Sequence, residues 1–161
     1  MAEHGAPPEG ATPSQAIHRI ILVDDDEDAL KLHGFYLRQA GYAVTERADA
    51  DGLLDDVLRE PPDIVLLDIS LPGIGGIEAC AQLKRDAGAR KTRVIMLTAH
   101  TTVGAVQQAN AVGADGYLMK PLTKTKLLAT VGAFLGQGAA SPHVSWWKRA
   151  NKWFRASPTS R

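Results

Sequence analysis

Polar side chains that could take part in phosphoryl transfer directly follow four separate apolar runs of this chain. Asp24 and Asp25 follow the first run, Asp68 the second, Thr98 the third and Lys120 the fourth. Carboxylates are the oxygen ligands that Mg²⁺ prefers, and a fixed carboxylate can act as a nucleophile toward phosphorus. A hydroxyl and an ammonium group can stabilise the charge of phosphoryl oxygens. These residue types predict phosphoryl-transfer chemistry with a divalent metal, provided that the fold brings them together.

The apolar runs before these residues have the character of buried strands. Residues 20–23, 64–67 and 94–97 are continuously apolar, which is typical of strands covered on both faces. Residues 42–46 are more mixed and suit an edge strand, and residues 117–119 form a fifth, shorter run. The sequence therefore predicts five strands.

Helical patterns alternate with these five strands. The candidate helices, separated by connections that contain proline or glycine, lie at 27–40, 51–59, 77–86, 102–112 and 123–135. Five repeats of strand then helix predict an α/β fold with a doubly wound parallel sheet and helices on both faces. Ligands bind outside the carboxyl ends of the strands in such a sheet, so we expect the polar residues to meet at one edge.

Three of these residues also have an ordinary structural interpretation. Asp68 alone could cap a turn, Thr98 could simply end a strand, and Lys120 could be a surface lysine at a turn. Their shared position after apolar runs favours the functional interpretation over these alternatives. The residue after Lys120 is Pro121, which makes the Lys120–Pro121 bond a candidate cis peptide.

The acidic run after the first strand is better explained by a metal than by solvation alone. Adjacent carboxylates repel one another unless a cation or solvent relieves the repulsion. Mg²⁺ usually takes only one or two protein carboxylates, so we expect Asp25 to bind it directly and Asp24 to act through water. Asp26 is more suited to cap the first helix.

Four segments of the chain resemble the receiver domain of two-component response regulators. These segments are Ile-Leu-Val-Asp-Asp-Asp at 21–26, Val-Leu-Leu-Asp-Ile-Ser-Leu-Pro-Gly at 65–73, Leu-Thr-Ala at 97–99 and Gly-Tyr-Leu-Met-Lys-Pro-Leu at 116–122. The similarity extends over about residues 18 to 136. It implies a flavodoxin-like sheet with the strand order 2-1-3-4-5 and a stand-alone regulator of a two-component or phosphorelay system.

The resemblance implies a role for each site residue. The phosphoacceptor would be Asp68. The implied ligands of Mg²⁺, or of Mn²⁺, are Asp24, Asp25, Asp68 and the backbone carbonyl of Ser70. The residues implied to bind the phosphoryl group are Thr98 and Lys120, and the implied switch residues are Thr98 and Tyr117.

The resemblance also implies partners. A phosphohistidine on a sensor histidine kinase or a histidine phosphotransfer protein would donate the phosphoryl group, and an unknown downstream protein would receive the signal. The chain would then be a phosphorylation-controlled binding module rather than an enzyme, catalysing only its own phosphotransfer and dephosphorylation.

Two other functions are also compatible with the sequence. Asp24-x-Asp26 loosely resembles the first motif of haloacid-dehalogenase-type phosphatases, but that family needs a later acidic pair, and no Asp or Glu follows Lys120. Alternatively, the protein could be an adaptor that acts through its C-terminal helix regardless of phosphorylation.

The segments outside the receiver-like region differ from it in composition. Residues 1–16 are rich in Ala, Pro, Gly and Glu and are predicted to be disordered. Residues 17–136 form the predicted receiver domain, and residues 137–161 a linker and a short amphipathic helix. On a helical projection the apolar side of that helix carries Trp146, Trp147, Trp153 and Phe154. Its basic side carries Lys148, Arg149, Lys152 and Arg155.

This tail helix is too short to be stable alone in water, so we expect it to need a surface. We favour docking on the receiver itself or on a partner protein, and consider peripheral membrane contact less favoured because one short helix is a weak anchor. Direct DNA binding is not expected, because about 25 residues are too few for a standard DNA-binding module and the body is mildly acidic.

The composition indicates a cytoplasmic protein. Cys80 is the single cysteine, so the chain cannot form an internal disulfide. It therefore lacks the pattern of a disulfide-rich protein from an oxidising compartment. The first residues lack the basic and apolar regions of a signal peptide, and no apolar run approaches the length of a membrane span.

Overall fold

A computed structural model of the protein describes residues 16–99 and 103–136, in which strands and helices alternate. The strands are β1 (Arg19–Val23), β2 (Ala43–Arg47), β3 (Ile64–Asp68), β4 (Arg93–Thr98) and β5 (Gly116–Met119). The helices are α1 (Glu27–Gln39), α2 (Leu53–Arg59), α3 (Gly76–Arg85), α4 (Val103–Ala111) and α5 (Lys124–Phe134). This element order confirms the predicted alternation.

The five strands form one parallel sheet with the order β2-β1-β3-β4-β5. Both the parallel arrangement and the implied order 2-1-3-4-5 are therefore confirmed, and β2 is an edge strand as its mixed sequence indicates. Every residue of the central strand β3 is buried, as its continuous apolar sequence predicts. The carboxyl ends of all five strands lie at the same edge.

Two strands extend one residue further than the apolar pattern indicates. Pairing continues to the polar residues themselves, since Asp68 pairs with Leu97 and Thr98 with Met119. Asp68 and Thr98 are thus the last residues of β3 and β4 rather than the first residues of loops. Backbone pairing therefore fixes the main chain of both residues.

Side chains alternate between the two faces of the sheet and build two separate cores. Ile21 and Val23 of β1 contribute to the core beneath α2, α3 and α4, whereas Ile20 and Leu22 contribute to the core beneath α1 and α5. Helices therefore cover both faces, three on one and two on the other. The region of the chain described by the structure contains no helix long and apolar enough to cross a membrane.

Helix α1 begins as its sequence predicts. The Asp26 side chain accepts hydrogen bonds from the backbone N–H groups of Asp28 and Ala29, at 2.9 and 3.1 Å. These bonds satisfy donors that have no partner within the helix, and Glu27 and Asp28 place negative charge near the positive end of its dipole. The cap therefore fixes α1 immediately after the acidic run.

A histidine lies on the buried side of α1. His33 is 6% exposed, and its Nδ1 atom has no hydrogen-bond partner. Burial lowers the pKa of His33, and the nearby positive charge of Lys120 lowers it further, although Asp24 and Asp26 oppose the shift. The imidazole is therefore neutral over most of the physiological pH range.

We predict that this buried imidazole makes the fold less stable in mild acid. The unfolded state, with a His pKa of about 6.5, binds more protons than the folded state as the pH falls through that value. The contribution of the neutral His33 to the free energy of unfolding is fully present well above pH 6.5. It is lost as the pH falls through 6.5 toward the lowered folded-state pKa. In denaturant titrations at a series of pH values, His33→Gln should lose less stability than the wild type below about pH 6.5. The two proteins should differ by a constant amount above about pH 7.5, and parallel curves throughout would contradict the prediction.

Candidate functional site

The polar residues predicted to meet do so at the carboxyl edge of the sheet. Asp24 directly follows β1, Asp68 ends β3, Thr98 ends β4 and Lys120 directly follows β5. The backbone N–H of Lys120 donates to the carbonyl of Thr98 at 2.8 Å, which ties the start of the β5–α5 connection to the end of β4. Four strand ends therefore build one site.

Lys120 connects two buried carboxylates at the base of this site. Its Nζ lies 2.7 Å from Asp24 Oδ2 and 2.6 Å from Asp68 Oδ2. The Asp24 side chain is fully buried, and the Asp68 side chain is 7% exposed. Because charges buried without a partner are strongly destabilising, the ammonium is needed to compensate both carboxylates.

The second oxygen of each carboxylate is held by a backbone amide. Asp24 Oδ1 accepts from the N–H of Asp26 at 3.0 Å, and Asp68 Oδ1 accepts from the N–H of Ser70 at 2.8 Å. Each side chain is therefore oriented by one bond to a turn and one to Lys120. An orientation fixed before the reaction is what a reacting carboxylate requires.

The site has the ligand chemistry of a magnesium site. Asp24, Asp25 and Asp68 each offer a carboxylate oxygen, and these oxygens all lie within 4.8 Å of one another. Asp25 is exposed, whereas the other two are buried. Carboxylate oxygens are hard ligands, and the site is open to solvent on the side of Asp25. Both features fit Mg²⁺, which keeps several of its waters. The Ser70 carbonyl belongs to the turn that follows Asp68, and its role as a ligand stays a prediction.

Burial and charge pairing act against each other in the ionisation of this site. Burial raises the pKa of the Asp68 carboxyl, although hydrogen bonds from Lys120 and from the Ser70 N–H favour the carboxylate. Burial alone would lower the pKa of Lys120, but its hydrogen bonds to Asp24 and Asp68 outweigh this, and the pKa is raised. Lys120 is therefore held firmly as an ammonium ion.

The two residues implied to be switches lie on neighbouring strands. Thr98 is buried at the end of β4, one strand away from Asp68. Tyr117 is half-buried on β5, and its hydroxyl donates to the carbonyl of Ala105 on α4 at 2.7 Å. Burial raises the pKa of Tyr117, so the phenol stays protonated and remains a donor. The site edge is therefore linked to α4 by a hydrogen bond.

The sequence analysis missed two residues near this site. The first is Gly76 at the start of α3, because a Cβ added there would lie 2.0 Å from the Asp68 carbonyl oxygen. The second is His33 of α1, which lies near enough to Asp24 and Lys120 for their charges to affect its pKa. A glycine pair after a turn and a histidine on an apolar helix face were visible in the sequence, but neither identifies its tertiary neighbour.

The Lys120–Pro121 peptide bond is cis.

Comparison with known proteins decides the family. Residues 20–132 match the sequence model of the response regulator receiver domain. This chain belongs to that family. Receiver domains of this family are signalling modules of two-component systems, and membership favours this interpretation over the phosphatase alternative.

Individual relatives agree with this assignment. The DNA-binding response regulator MtrA of Mycolicibacterium smegmatis is 37% identical over 124 residues, covering 77% of this chain and 53% of that protein. The chemotaxis protein CheY4 of Vibrio cholerae matches the receiver with a TM-score of 0.70 and 28% identity, covering 74% of this chain and 99% of that structure. This receiver therefore spans about half the length of the curated relatives that it matches.

A third relative bears on the metal. The receiver domain of the sensor histidine kinase PA1611 of Pseudomonas aeruginosa PAO1 has a TM-score of 0.70 and 28% identity, covering 75% of this chain and 99% of that structure. That structure has a magnesium ion coordinated in its active-site cleft. Receiver domains bind Mg²⁺ at an acidic cluster, and the Asp24, Asp25 and Asp68 group of this receiver is such a cluster.

The comparisons correct the expectation that no direct DNA binding occurs. That expectation is wrong, because the MtrA relatives are DNA-binding response regulators. The expectation was based on the number of residues and basic charges that follow the receiver. This chain, however, matches only about half of the length of those relatives. The length and charge of a short segment therefore do not exclude DNA binding.

The tail prediction is not tested by this structure. All eight residues of the predicted amphipathic helix lie outside the described residues: Trp146, Trp147, Lys148, Arg149, Lys152, Trp153, Phe154 and Arg155. The same holds for the predicted disordered segment up to residue 15. Both stay predictions.

Proposed function

We propose that this receiver takes a phosphoryl group from a phosphohistidine onto Asp68 and thereby changes a protein-interaction surface. One observation supports the proposal most strongly. A single Asp68 carboxylate is buried, oriented by the Ser70 N–H, bonded to the Lys120 ammonium, and close to two further carboxylates that suit a metal. A buried carboxylate with both a cation and further metal-binding carboxylates beside it is suited to nucleophilic attack on phosphorus.

The proposed step transfers one phosphoryl group between two side chains. An oxygen of Asp68 forms a bond to phosphorus while the bond between phosphorus and the histidine nitrogen breaks. The electron pair of that bond leaves with the imidazole, and Asp68 becomes an acyl phosphate. Lys120 balances the added negative charge, and the Thr98 hydroxyl donates to a phosphoryl oxygen. A bound Mg²⁺, or Mn²⁺, held by Asp24, Asp25, Asp68 and the Ser70 carbonyl, would supply further neutralisation of those oxygens.

The interaction surface that we propose to change includes α4. Tyr117 is bonded through its hydroxyl to the Ala105 carbonyl of α4, and Thr98 lies on the strand beside it. A shift of Thr98 toward the phosphoryl group would alter the packing that holds Tyr117. The result is a change in the populations of two arrangements, driven by a local change of charge. The donor would be a sensor histidine kinase or a histidine phosphotransfer protein, and a downstream protein would recognise the altered surface.

Asp68→Asn should abolish phosphorylation without unfolding the protein. Incubation of the wild type with acetyl phosphate and Mg²⁺ should add the mass of one phosphoryl group, measured by intact-protein mass spectrometry. Asp68→Asn should gain no mass, because an amide does not provide the nucleophilic oxygen anion. Asp55→Asn is the matched control, since Asp55 is exposed on α2, and it should behave as the wild type.

Three outcomes would overturn the proposal. Equal phosphorylation of Asp68→Asn would place the acceptor elsewhere. Steady release of phosphate from phosphate esters, unaffected by Asp68→Asn, would instead support an enzyme. Binding of a downstream protein that is identical for the wild type with and without acetyl phosphate would favour the phosphorylation-independent adaptor.

A further inference from the structure

The tail helix predicted over residues 146–155 needs a surface on which to dock. Its apolar side carries three tryptophans and a phenylalanine, and its basic side carries four cations. A helix of this length is not stable alone in water. The segment lies outside the described residues, so its pattern comes from the sequence alone. A surface suited to it must combine exposed apolar side chains with negative charge.

Helix α1 carries such a surface on the side that faces away from the sheet. Leu32 and Phe35 are 47% and 53% exposed, and residues three apart are neighbours on one face of a helix. The Phe35 ring centroid lies 6.2 Å from that of the half-buried Tyr36, which extends the apolar surface. Large apolar side chains exposed together are typical of interaction surfaces. We call Leu32, Phe35 and Tyr36 the α1 patch.

Negative charge borders the α1 patch on the side of the candidate site. Asp28 is exposed one turn before the patch and makes no ion pair with any described residue. The basic residues of α1, Lys31 and Arg38, are already paired with glutamates, at 3.5 and 2.6 Å. On the opposite border, Lys124 of α5 lies 5.7 Å from the Tyr36 ring centroid. A basic segment on the patch is therefore attracted toward the start of α1.

The tail leaves the receiver on the side of the sheet that α1 covers. Helices α1 and α5 cover the same core, and α5 begins beside the end of α1, where Lys124 donates to the Gln39 side chain at 2.9 Å. The 11 residues of α5 span about 16 Å. Residues 137–145, if extended, reach roughly 30 Å. This connection is long enough to bring the tail helix back to α1.

The other exposed large apolar side chains of the described region suit the tail less well. Leu58 lies on α2, which covers the opposite side of the sheet. Met119 directly precedes Lys120, and its carbonyl accepts from Lys126 Nζ at 3.0 Å, so its surroundings repel a basic segment. Ile17 is a single side chain before β1. Within residues 16–99 and 103–136, α1 alone combines adjacent exposed apolar side chains with unpaired negative charge.

We propose that residues 146–155 dock on the α1 patch of their own receiver. The aromatic side of the tail helix covers Leu32 and Phe35, and its basic side chains lie toward Asp28. The docking goes beyond the proposed phosphorylation of Asp68 and does not depend on it.

Tryptophan fluorescence measures this docking directly, because all three tryptophans of the chain lie in the tail helix. The emission of the purified full chain should be shifted to shorter wavelength relative to the urea-unfolded chain, since docked indole rings are removed from water. The shift should be the same at low and high protein concentration. Replacing both Leu32 and Phe35 by glutamine, which changes no charge, should move the emission to that of the unfolded chain. Leu58→Gln is the matched control and should keep the wild-type emission.

Limited proteolysis provides a second measurement on the same proteins. Trypsin should cut after the basic residues of the tail helix roughly tenfold faster in the double variant than in the wild type, the value of burying the exposed part of one large apolar side chain. Leu58→Gln should be cut at the wild-type rate. Thermal unfolding followed by circular dichroism should show that both variants remain folded, because the replaced side chains are on the surface.

Four results would overturn the proposal. The first is wild-type emission equal to that of the unfolded chain. The second is a shift and a cleavage rate that the double variant leaves unchanged. The third is a shift that grows with protein concentration, which would assign the patch to a second copy of the chain. The fourth is a shift that requires vesicles of anionic lipid, which would assign the tail to a membrane surface.

Discussion

Lys120→Met should slow phosphorylation of Asp68 by about a hundredfold or more, and should at the same time strengthen Mg²⁺ binding. The two effects have one cause. The ammonium lies between Asp24 Oδ2 and Asp68 Oδ2, so it compensates the charge of the incoming phosphoryl group but also competes with a metal for the same carboxylates. Methionine fills a similar volume without charge. The two carboxylates then attract Mg²⁺ more strongly, while the transferred phosphoryl group loses its fixed cation.

The same substitution should make the metal-free protein less stable. Removing one partner from a buried ion pair costs about 3 to 5 kcal/mol when the remaining charge is uncompensated. We expect a loss near the lower end, because Lys120 is partly exposed and Asp68 can take up a proton. Added Mg²⁺ should restore more stability to Lys120→Met than to the wild type.

Three measurements check this prediction on one set of proteins. Calorimetric titration with Mg²⁺ gives the affinity, denaturant titration gives the stability, and mass spectrometry gives the rate of phosphorylation by acetyl phosphate. Lys31→Met is the control, because Lys31 is exposed on the opposite side of α1 from the sheet and should change none of the three. Weaker Mg²⁺ binding by Lys120→Met would show that the ammonium does not compete with the metal.

Gly76→Ala should be among the most damaging small substitutions in this protein. The added Cβ would lie 2.0 Å from the Asp68 carbonyl oxygen and 2.8 Å from Ile69 Cα. Both are backbone atoms, and those of Asp68 are held in the sheet, so they cannot move as a flexible side chain would. Overpacking of this kind costs about 1 to 3 kcal/mol, and we expect a value at the upper end. Any relief by movement of the β3–α3 connection would also displace Asp68.

Gly75→Ala provides a closely matched control. It changes the neighbouring residue in the same way, but a Cβ at Gly75 would have no atom within 4 Å, and its φ of −64° suits an alanine. Denaturant titration should place Gly75→Ala within about 1 kcal/mol of the wild type. Phosphorylation of the folded fraction should be slowed in Gly76→Ala only. Equal stability of the two variants would mean that α3 moves away from Asp68 at little cost.

The sequence predicts the fold and the members of the site well, because both depend on local patterns. Continuous apolar runs indicate strands that are covered on both faces, and a parallel sheet brings the residues after those runs to one edge. The role of Asp26 as a helix cap is predictable because it depends only on the residue type at one position. The apolar pattern predicts that β3 and β4 end one residue before Asp68 and Thr98, because a polar residue ends each apolar run before the pairing ends.

What the sequence does not predict are contacts between distant residues. Lys120 and Asp24 are 96 positions apart, and their contact depends on the order of the four strands from β1 to β5 in the sheet. Gly76 and His33 carry no local signal for what they touch. The expectation about DNA was wrong for a different reason. It was based on the length and charge of residues 137–161, whereas this chain matches only about half of the length of its MtrA relatives.

The hydrogen bond from Tyr117 to α4 has a consequence for how such a protein can change partners. Its acceptor is the main-chain carbonyl of Ala105, so the bond depends on α4 being helical and not on which side chains α4 carries. Substitutions on the outer surface of α4 could alter the choice of partner while the connection to the strand edge is preserved. The side chains of α4 would therefore determine which partner binds, whereas its backbone would maintain the link to the strand edge.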